Sequence, residues 1–339
     1  MGALCIVSRK SAGEAAVLKS ANGGLCVPPS LRMGVAGAGV FGSYHAAKLA
    51  ERDDVEFAGV YDTDAERAQA LAEKHGAKAF RTYRDFLQDM DATVIAAPAS
   101  DHFMLCEAAL KNDCHCFVEK PLALTVDTVD RLIVLAHEKN LVLQVGHQER
   151  YVCEAMGLLS REIAPLRIEC VRRVPYTGRC DDVSVAFDLM VHDLDIVRQL
   201  SKADVTNVHA TGNADEISAE LFLENGTLAL LNAVRRSKNS ERRMTLVYDD
   251  GVIDFDFIRR TITNSTPAQL NGDFSQHKAP LAIRDPLAHG AALFIDAIRG
   301  AKQPVVSGYD GRVTVSWAQQ IEEAAQITQE EEVVKRLRA

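Results

Sequence analysis

No stretch of the sequence approaches about 18 consecutive apolar residues, so a membrane-spanning helix is excluded. An excess of basic residues is also missing: Lys plus Arg number 38 against 47 Asp plus Glu, for a formal net charge of −9. That balance gives no long-range attraction for nucleic acid or an anionic membrane surface. Cysteine is sparse. Eight in 339 residues do not make a disulfide framework, and a chain of this length buries a core without staples. The first 30 residues lack the apolar segment of a secretory signal, and Ile6 stands where N-myristoylation needs Ser or Thr. Residues 1–30 are therefore expected to be a flexible leader or an upstream start, with Met33 the alternative initiator, and Glu330–Ala339 a frayed tail. A cytoplasmic protein acting on small molecules fits these exclusions.

The bulk composition, 47% apolar and 25% charged, is that of a globular protein. At roughly 150 residues per domain the length implies about two domains. From Leu31 onward, apolar runs at Leu31–Ala36, Val55–Tyr61, Thr93–Ala97, His115–Glu119 and Leu141–Val145 alternate with helical patterns. Those patterns lie near Phe41–Arg52, Asp64–His75, Asp101–Lys111 and Val126–Asn140, with a short helix at Tyr83–Gln88. Near-continuous Val/Ile/Leu strands separated by helices indicate a parallel sheet covered on both faces. This first domain is expected over 31–150.

Beyond Tyr151 one helical stretch, Val185–Leu200, precedes alternating runs at Ile217–Leu223, Thr227–Val234, Arg243–Tyr248 and Val252–Arg259. Glu224-Asn225-Gly226 and Asp249-Asp250-Gly251 are hairpin signals between them. Helical periodicity returns at Pro286–Arg299 and Gly311–Ile327. The expected fold is thus α/β: a doubly wound parallel sheet followed, over 151–330, by an α+β domain with a mainly antiparallel sheet.

Gly37, Gly39 and Gly42 form a GxGxxG directly after a strand, with Val40 and Phe41 inside it and opening a helix. The glycines permit a tight turn, close approach of a pyrophosphate and close helix–strand packing, and the helix N-terminus favours phosphate. Asp62 ends the next strand about 20 residues on, where a carboxylate accepts from ribose hydroxyls and repels a 2′-phosphate. NAD is expected over NADP. Asp62 as a mere cap of the next helix is the plainer alternative, and Arg67 is more simply a solvated charge. Glu119, Lys120 and Pro121 sit at the carboxyl end of the strand expected over His115–Glu119, the edge where open α/β sheets bind ligands. A cationic nicotinamide beside Lys120 favours its neutral form and suits it to proton transfer. Asp188, His192 and Asp195 lie at helical offsets, which place them on one face where a carboxylate can orient an imidazole. A polar outer stripe explains the same spacing equally well. No further ligands converge for a metal, and Cys114-His115-Cys116 reads as buried strand rather than a zinc site.

These motifs together resemble the glucose-fructose oxidoreductase, inositol dehydrogenase and MocA (Gfo/Idh/MocA) family over about Leu31 to Ile327. Pro98 to His102 resembles its TPxxxH segment, Glu119 to Leu122 its EKP signature, and Gly146 to Arg150 the element closing its cofactor domain. Asp188, His192 and Asp195 resemble its catalytic helix, and Pro286-Leu287 and Pro304–Gly311 the segments flanking its last helices. The resemblance implies NAD held by the glycine loop, Asp62, Pro98, His102, Glu119 and Lys120. It implies proton handling by Lys120 and His192, with Asp188 as positioner, and substrate contacts from Lys120, Arg150, Arg179, Asp188, His192 and Asp195. It further implies that Glu119 orients Lys120, a cis Lys120–Pro121 bond, and a homo-oligomer built on the C-terminal sheet. The run from Cys180 to Phe187 departs from the Gly-Gly of many members. Arg179–Asp195 is more similar to the UDP-N-acetylglucosamine 3-dehydrogenase branch, and Arg172, Arg173 and Arg179 could meet a pyrophosphate. A sugar or nucleotide-sugar dehydrogenase is the leading expectation. Cyclitol, simple-sugar and dihydrodiol dehydrogenases, or a non-catalytic NAD-binding regulator, are the alternatives.

Overall fold

The computed structural model describes residues 30–178, 181–275 and 278–327. The expected leader, apart from its last residue, lies outside them, as do the tail over 331–339, Arg179 and Cys180. The first half runs β1 (Leu31–Ala36), α1 (Val40–Ala50), β2 (Val55–Tyr61), α2 (Ala65–His75), β3 (Lys78–Phe80) and α3 (Tyr83–Gln88). It continues through β4 (Ala92–Ile95), α4 (His102–Lys111), β5 (His115–Val118), α5 (Val126–Glu138) and β6 (Leu143–Val145). The helices start where short polar side chains satisfy their first amides: Asp64 caps α2, Thr82 caps α3 and Thr125 caps α5. All six strands are parallel, in the order β3-β2-β1-β4-β5-β6. The order reverses between β1 and β4, which opens a crevice at the strands' carboxyl ends. β4 stops at Ile95 and β5 at Val118, earlier than the apolar runs suggested, so Ala97, Glu119 and Lys120 lie in the loops lining that crevice.

The second half begins with α6 (Gln148–Ala155) and β7 (Arg167–Arg173), followed by a π-helical turn over Ala186–Met190 that leads into α7 (Val191–Ser201). Strands β8 (Val205–Asn213), β9 (Glu216–Leu223), β10 (Leu228–Val234), β11 (Glu241–Tyr248), β12 (Gly251–Asp256) and β13 (Thr261–Asn264) follow. Helices α8 (Leu281–Arg284), α9 (Pro286–Ile298) and α10 (Gly308–Ala324) close the described chain. The seven-stranded sheet is ordered β13-β12-β11-β7-β10-β9-β8 and is antiparallel except where β7 lies parallel to β10. Both expected hairpins are present, at Gly226 and Gly251. Six elements had no clear sequence signal: β3, α6, β7, β8, β13 and α8. The helix expected over Val185–Leu200 is split by the π turn.

The boundary expected at 150 describes the strands but not their cover. Ala291, Phe294 and Ile295 of α9 pack with Met33, Val35, Val60, Val94 and Phe117 of the first sheet. The Val145 amide donates to the Val306 carbonyl at 3.0 Å, and the Gln144 side chain donates to the Gly290 carbonyl at 2.9 Å. Helix α9 and the segment at Val306 thus help to cover and extend the first sheet. Among the described residues no helix is long and apolar enough to cross a membrane. Phe294 is fully buried, so Phe294→Ala is expected to cost about 3–5 kcal/mol in urea unfolding. A loss under about 1 kcal/mol would show α9 to be peripheral.

Candidate active site

Three glycines after β1 are needed for three different reasons. Gly37 has φ +102°, its amide donates to the Tyr61 carbonyl at 2.8 Å, and a Cβ there would stand 2.6 Å from the Ala96 carbonyl oxygen. A Cβ on Gly42 would lie 1.7 Å from the Gly37 oxygen, so only glycine lets α1 pack this closely. Gly39 is the reverse: nothing lies within 4 Å of its Cβ position, and it opens α1 without a side-chain cap. Val40 and Phe41 flank this open ground, half exposed. Asp62 ties the loop to the next crossover. Its Oδ2 accepts from the Ala38 amide at 2.6 Å, and its Oδ1 accepts from the Asp64 amide at 2.8 Å and from Arg67 Nη2 at 3.0 Å. Asp64, not Asp62, caps α2.

Pro98 begins the turn leaving β4, and His102 follows at the start of α4. His102 is buried, with Nδ1 2.6 Å from the Pro121 carbonyl and Nε2 2.9 Å from the Ala97 carbonyl. Burial pushes its pKa down against the pull of both carbonyls. Instead of lining the crevice, His102 straps together the loops that follow β4 and β5. Glu119 is likewise buried, and its Oε1 lies 2.7 Å from His45 Nε2 of α1 and accepts from Gln148 Nε2 at 2.7 Å. Burial alone would raise its carboxyl. The bonds to His45 and Gln148 and the nearby Lys120 charge outweigh it and hold the group below its ordinary value. Gly146 leaves the room, since a Cβ there would come within 2.9 Å of Glu119 Oε2. Glu119 therefore anchors α1 and α6 and makes no hydrogen bond to Lys120, contrary to the orienting role expected of it.

Lys120 follows, with a cis bond to Pro121. Its Nζ donates to the Asp188 carbonyl at 2.5 Å and to Asp188 Oδ1 at 3.3 Å. Asp188 sits in the π turn, where the Val191 amide reaches back to the Ala186 carbonyl. One added residue per turn shifts what precedes it by about 100° around the axis. Asp188 is thereby turned toward Lys120, and the single face expected for Asp188, His192 and Asp195 does not form. His192 and Asp195, beyond the π turn, face α6 instead. His192 is mostly buried, and its ring stands edge-on to that of His147, with centroids 6.4 Å apart. Burial, then Lys120, Arg172 and His147, push its pKa well below the ordinary histidine value.

Asp195 and Arg150, expected as substrate contacts, are used up on each other. Both are buried; Arg150 Nε donates to Asp195 Oδ2 at 2.9 Å and Nη2 to Oδ1. Arg150 also donates to the Val305 carbonyl at 3.0 Å and pairs with Asp310 at 3.1 Å. Arg172, proposed for a pyrophosphate, is buried between Asp193 and Glu149, and Arg173 faces outward to Asn232 and Glu241. Of the run Cys114 to Cys116, His115 and Cys116 lie in β5 and Cys114 just before it; both thiols are buried and raised by burial, and the His115 imidazole, lowered by burial to about 4, accepts from the Val142 amide. Sequence reasoning passed over His45, His147, Gln148, Glu149, Asp193 and Arg242. Only the Gly146 to Arg150 motif marked their neighbourhood.

Residues 31–147 match the family model described as "Oxidoreductase family, NAD-binding Rossmann fold". The chain is 34% identical, over 87% of its length and 97% of the relative's, to UDP-N-acetylglucosamine 3-dehydrogenase of Acidithiobacillus ferrooxidans. The chain belongs to the Gfo/Idh/MocA oxidoreductase family. A solved structure of that enzyme from the same organism overlays 88% of this chain and 98% of its own with a TM-score of 0.79. A myo-inositol 2-dehydrogenase of Thermotoga maritima is 26% identical over 84% of this chain and 93% of its own. As a member of this family the chain is a dehydrogenase acting on CH–OH groups, with an NAD-binding Rossmann domain.

The glycine loop fits that cofactor. The open ground over Gly39, at an α1 start uncapped by any side chain, suits a pyrophosphate. Two substitutions separate binding from folding in this family member. Gly39→Ala should leave the melting temperature within a degree or two while weakening NAD binding at least about tenfold by calorimetry. Gly42→Ala should lower stability by more than about 2 kcal/mol, as overpacking does. Equal melting temperatures for the two variants would contradict this division.

Proposed function

We propose that this dehydrogenase acts on a secondary alcohol of a nucleotide sugar, with the 3-hydroxyl of UDP-N-acetylglucosamine as first candidate and NAD as preferred cofactor. The observation that carries the reading is the pairing of Lys120 with Asp188 at the carboxyl edge of the first sheet, with His192 on the helix that continues from Asp188. The candidate substrate is the one named for the relative that is 34% identical over 87% of this chain. NAD, when bound, accepts the carbon-bound hydrogen with its electron pair. Gly37, Gly39 and Gly42 with Val40 and Phe41 would hold its phosphates, Asp62 its ribose, and the Pro98 and Glu119–Lys120 loops its nicotinamide half. Lys120, anchored through Asp188, donates to the substrate oxygen and makes its proton easier to remove. The neutral His192 takes that proton as general base. Arg150 and Asp195 act at a distance, holding α6 against α7. Part-exposed Val171 and Leu230 and exposed Phe222 lie on the open outer face of the second sheet, which we assign to homo-oligomer contact.

A cyclitol dehydrogenase is the second reading, favoured by the Thermotoga maritima relative. An NAD-reduction screen over UDP-N-acetylglucosamine, UDP-N-acetylgalactosamine, glucose and myo-inositol decides between them. The highest kcat/KM is expected with UDP-N-acetylglucosamine, and Lys120→Ala and His192→Asn should each lower kcat by about 10²–10⁴. Turnover of myo-inositol alone would put the cyclitol reading in its place. NADH binding without any turnover, in a protein indifferent to Lys120→Ala, would favour a regulator.

Cofactor choice rests on Asp62. The wild-type enzyme should prefer NAD to NADP, and Asp62→Ala should narrow the gap about tenfold or more by removing the repelling carboxylate and freeing Arg67 for a 2′-phosphate. Preference for NADP in the unmutated protein would sink this assignment.

A further inference from the structure

Glu149, the second residue of α6, takes no part in the chemistry above, yet three cationic or titratable side chains converge on it. Arg172 from β7 donates Nη1 to its Oε1 at 3.1 Å and Nη2 to its Oε2 at 2.8 Å. The same guanidinium holds Asp193, next to His192, through Nε at 3.0 Å and Nη2 at 2.7 Å. Arg242 from β11 pairs with Glu149 Oε1 as well. That oxygen also lies 3.4 Å from Nδ1 of His192. Nδ1 is a buried atom with no hydrogen-bond partner, and Glu149 Oε1 stands off the line of its N–H. A buried ring nitrogen without a partner is rare, because leaving it so costs its desolvation. Closing the remaining few tenths of an ångström would satisfy it, and hydrogen bonds in catalytic sites often tighten when substrate binds.

We propose that Glu149 is a positioning residue for His192: it takes the Nδ1 hydrogen and so leaves the lone pair on Nε2, the nitrogen offered to the substrate hydroxyl. This rests on the reading of His192 as the base. A neutral imidazole has one donor and one acceptor nitrogen, and the partner of one fixes the role of the other. The charges facing His192 are Lys120 at the end of β5, Arg172 on β7, Arg242 on β11, Glu149 on α6, Asp188 in the π turn and Asp193 beside it, with His147 edge-on. Two guanidiniums share the Glu149 charge. The carboxylate can therefore hold a tautomer without turning His192 into an imidazolium.

Ring-nitrogen NMR on the ¹⁵N-labelled full chain reads the tautomer directly, with the His192 signals identified by their loss in His192→Asn. The wild-type ring is expected with its proton on Nδ1. In Glu149→Gln the amide can donate to Nδ1 instead, so the proton should move to Nε2, with kcat down about 10–100-fold and the KM for NAD unchanged. A wild-type ring protonated on Nε2, or a tautomer indifferent to Glu149→Gln, would overturn the proposal and leave Glu149 a counter-ion of the arginines. Should Glu149→Gln not fold, the wild-type tautomer decides alone. The spectrum needs no turnover. A ring protonated on Nδ1 in a protein that oxidises no alcohol would uphold the pairing and count against the proposed function.

Discussion

Three consecutive side chains at the start of α6 hold the molecule in working order. Gln148 reaches into the first domain and donates to Glu119, which is already bound to His45 of the nucleotide helix α1. Glu149 is gripped by Arg172 and Arg242 from the second sheet. Arg150 is locked to Asp195 on α7 and to Asp310 on α10. Each charge here is largely taken from water, and a lone buried ion costs several kcal/mol. Well-packed apolar residues would often stabilise a fold as well or better. Ion pairs bring direction that apolar contacts lack. A fork-shaped guanidinium fits its carboxylate in few orientations, so α6, α7 and the first sheet are held in one mutual register.

That register makes a site from parts lying far apart in the chain. Lys120 leaves a strand of the first sheet, whereas Asp188 and His192 ride on a helix packed against the second. The π turn is the local adjustment between Asp188 and His192. An unbroken α-helix would set Asp188 and His192 on one face; the turn instead gives Asp188 to Lys120 and His192 to α6. π turns cluster at functional sites for this kind of reason: one added residue re-aims a side chain without ending the helix.

Much of the fold was legible because local chemistry and global fold agree there. The strands at Leu31–Ala36 and Val55–Tyr61 are apolar runs buried on both faces, and the hairpins at Gly226 and Gly251 carry turn residues that tolerate positive φ. Strand β7 escaped because its inward row is Ile168, Cys170 and Arg172, where a charge occupies a core position and breaks the alternation. Strand β8 is an edge with most residues exposed, so it has little apolar row to detect. Helix α9 was visible as a helix, but its docking on a sheet formed some 200 residues earlier has no local signature. The glycine loop and Lys120 were found from spacing. The roles of Arg150, Asp195 and Glu119 were not, since a buried ion pair and a ligand-binding residue look alike in a sequence.

The buried charges also bear on the protonation of His192. A histidine beside a carboxylate is commonly pushed toward its charged form, which would disable it as a proton acceptor. Here burial, then Lys120 and Arg172, push the His192 pKa well below the ordinary histidine value. Glu149 sits 3.4 Å from the ring and carries two guanidiniums on its carboxylate. The arrangement resolves two demands that conflict for an isolated pair. A free carboxylate would hold the ring but protonate it; a neutral partner would leave it unprotonated but less firmly oriented. A carboxylate already paired with arginines offers direction with little net field. On this view the arginines of the second sheet belong to the chemistry only through Glu149, which explains why neither Arg172 nor Arg150 was placed correctly from its position in the sequence.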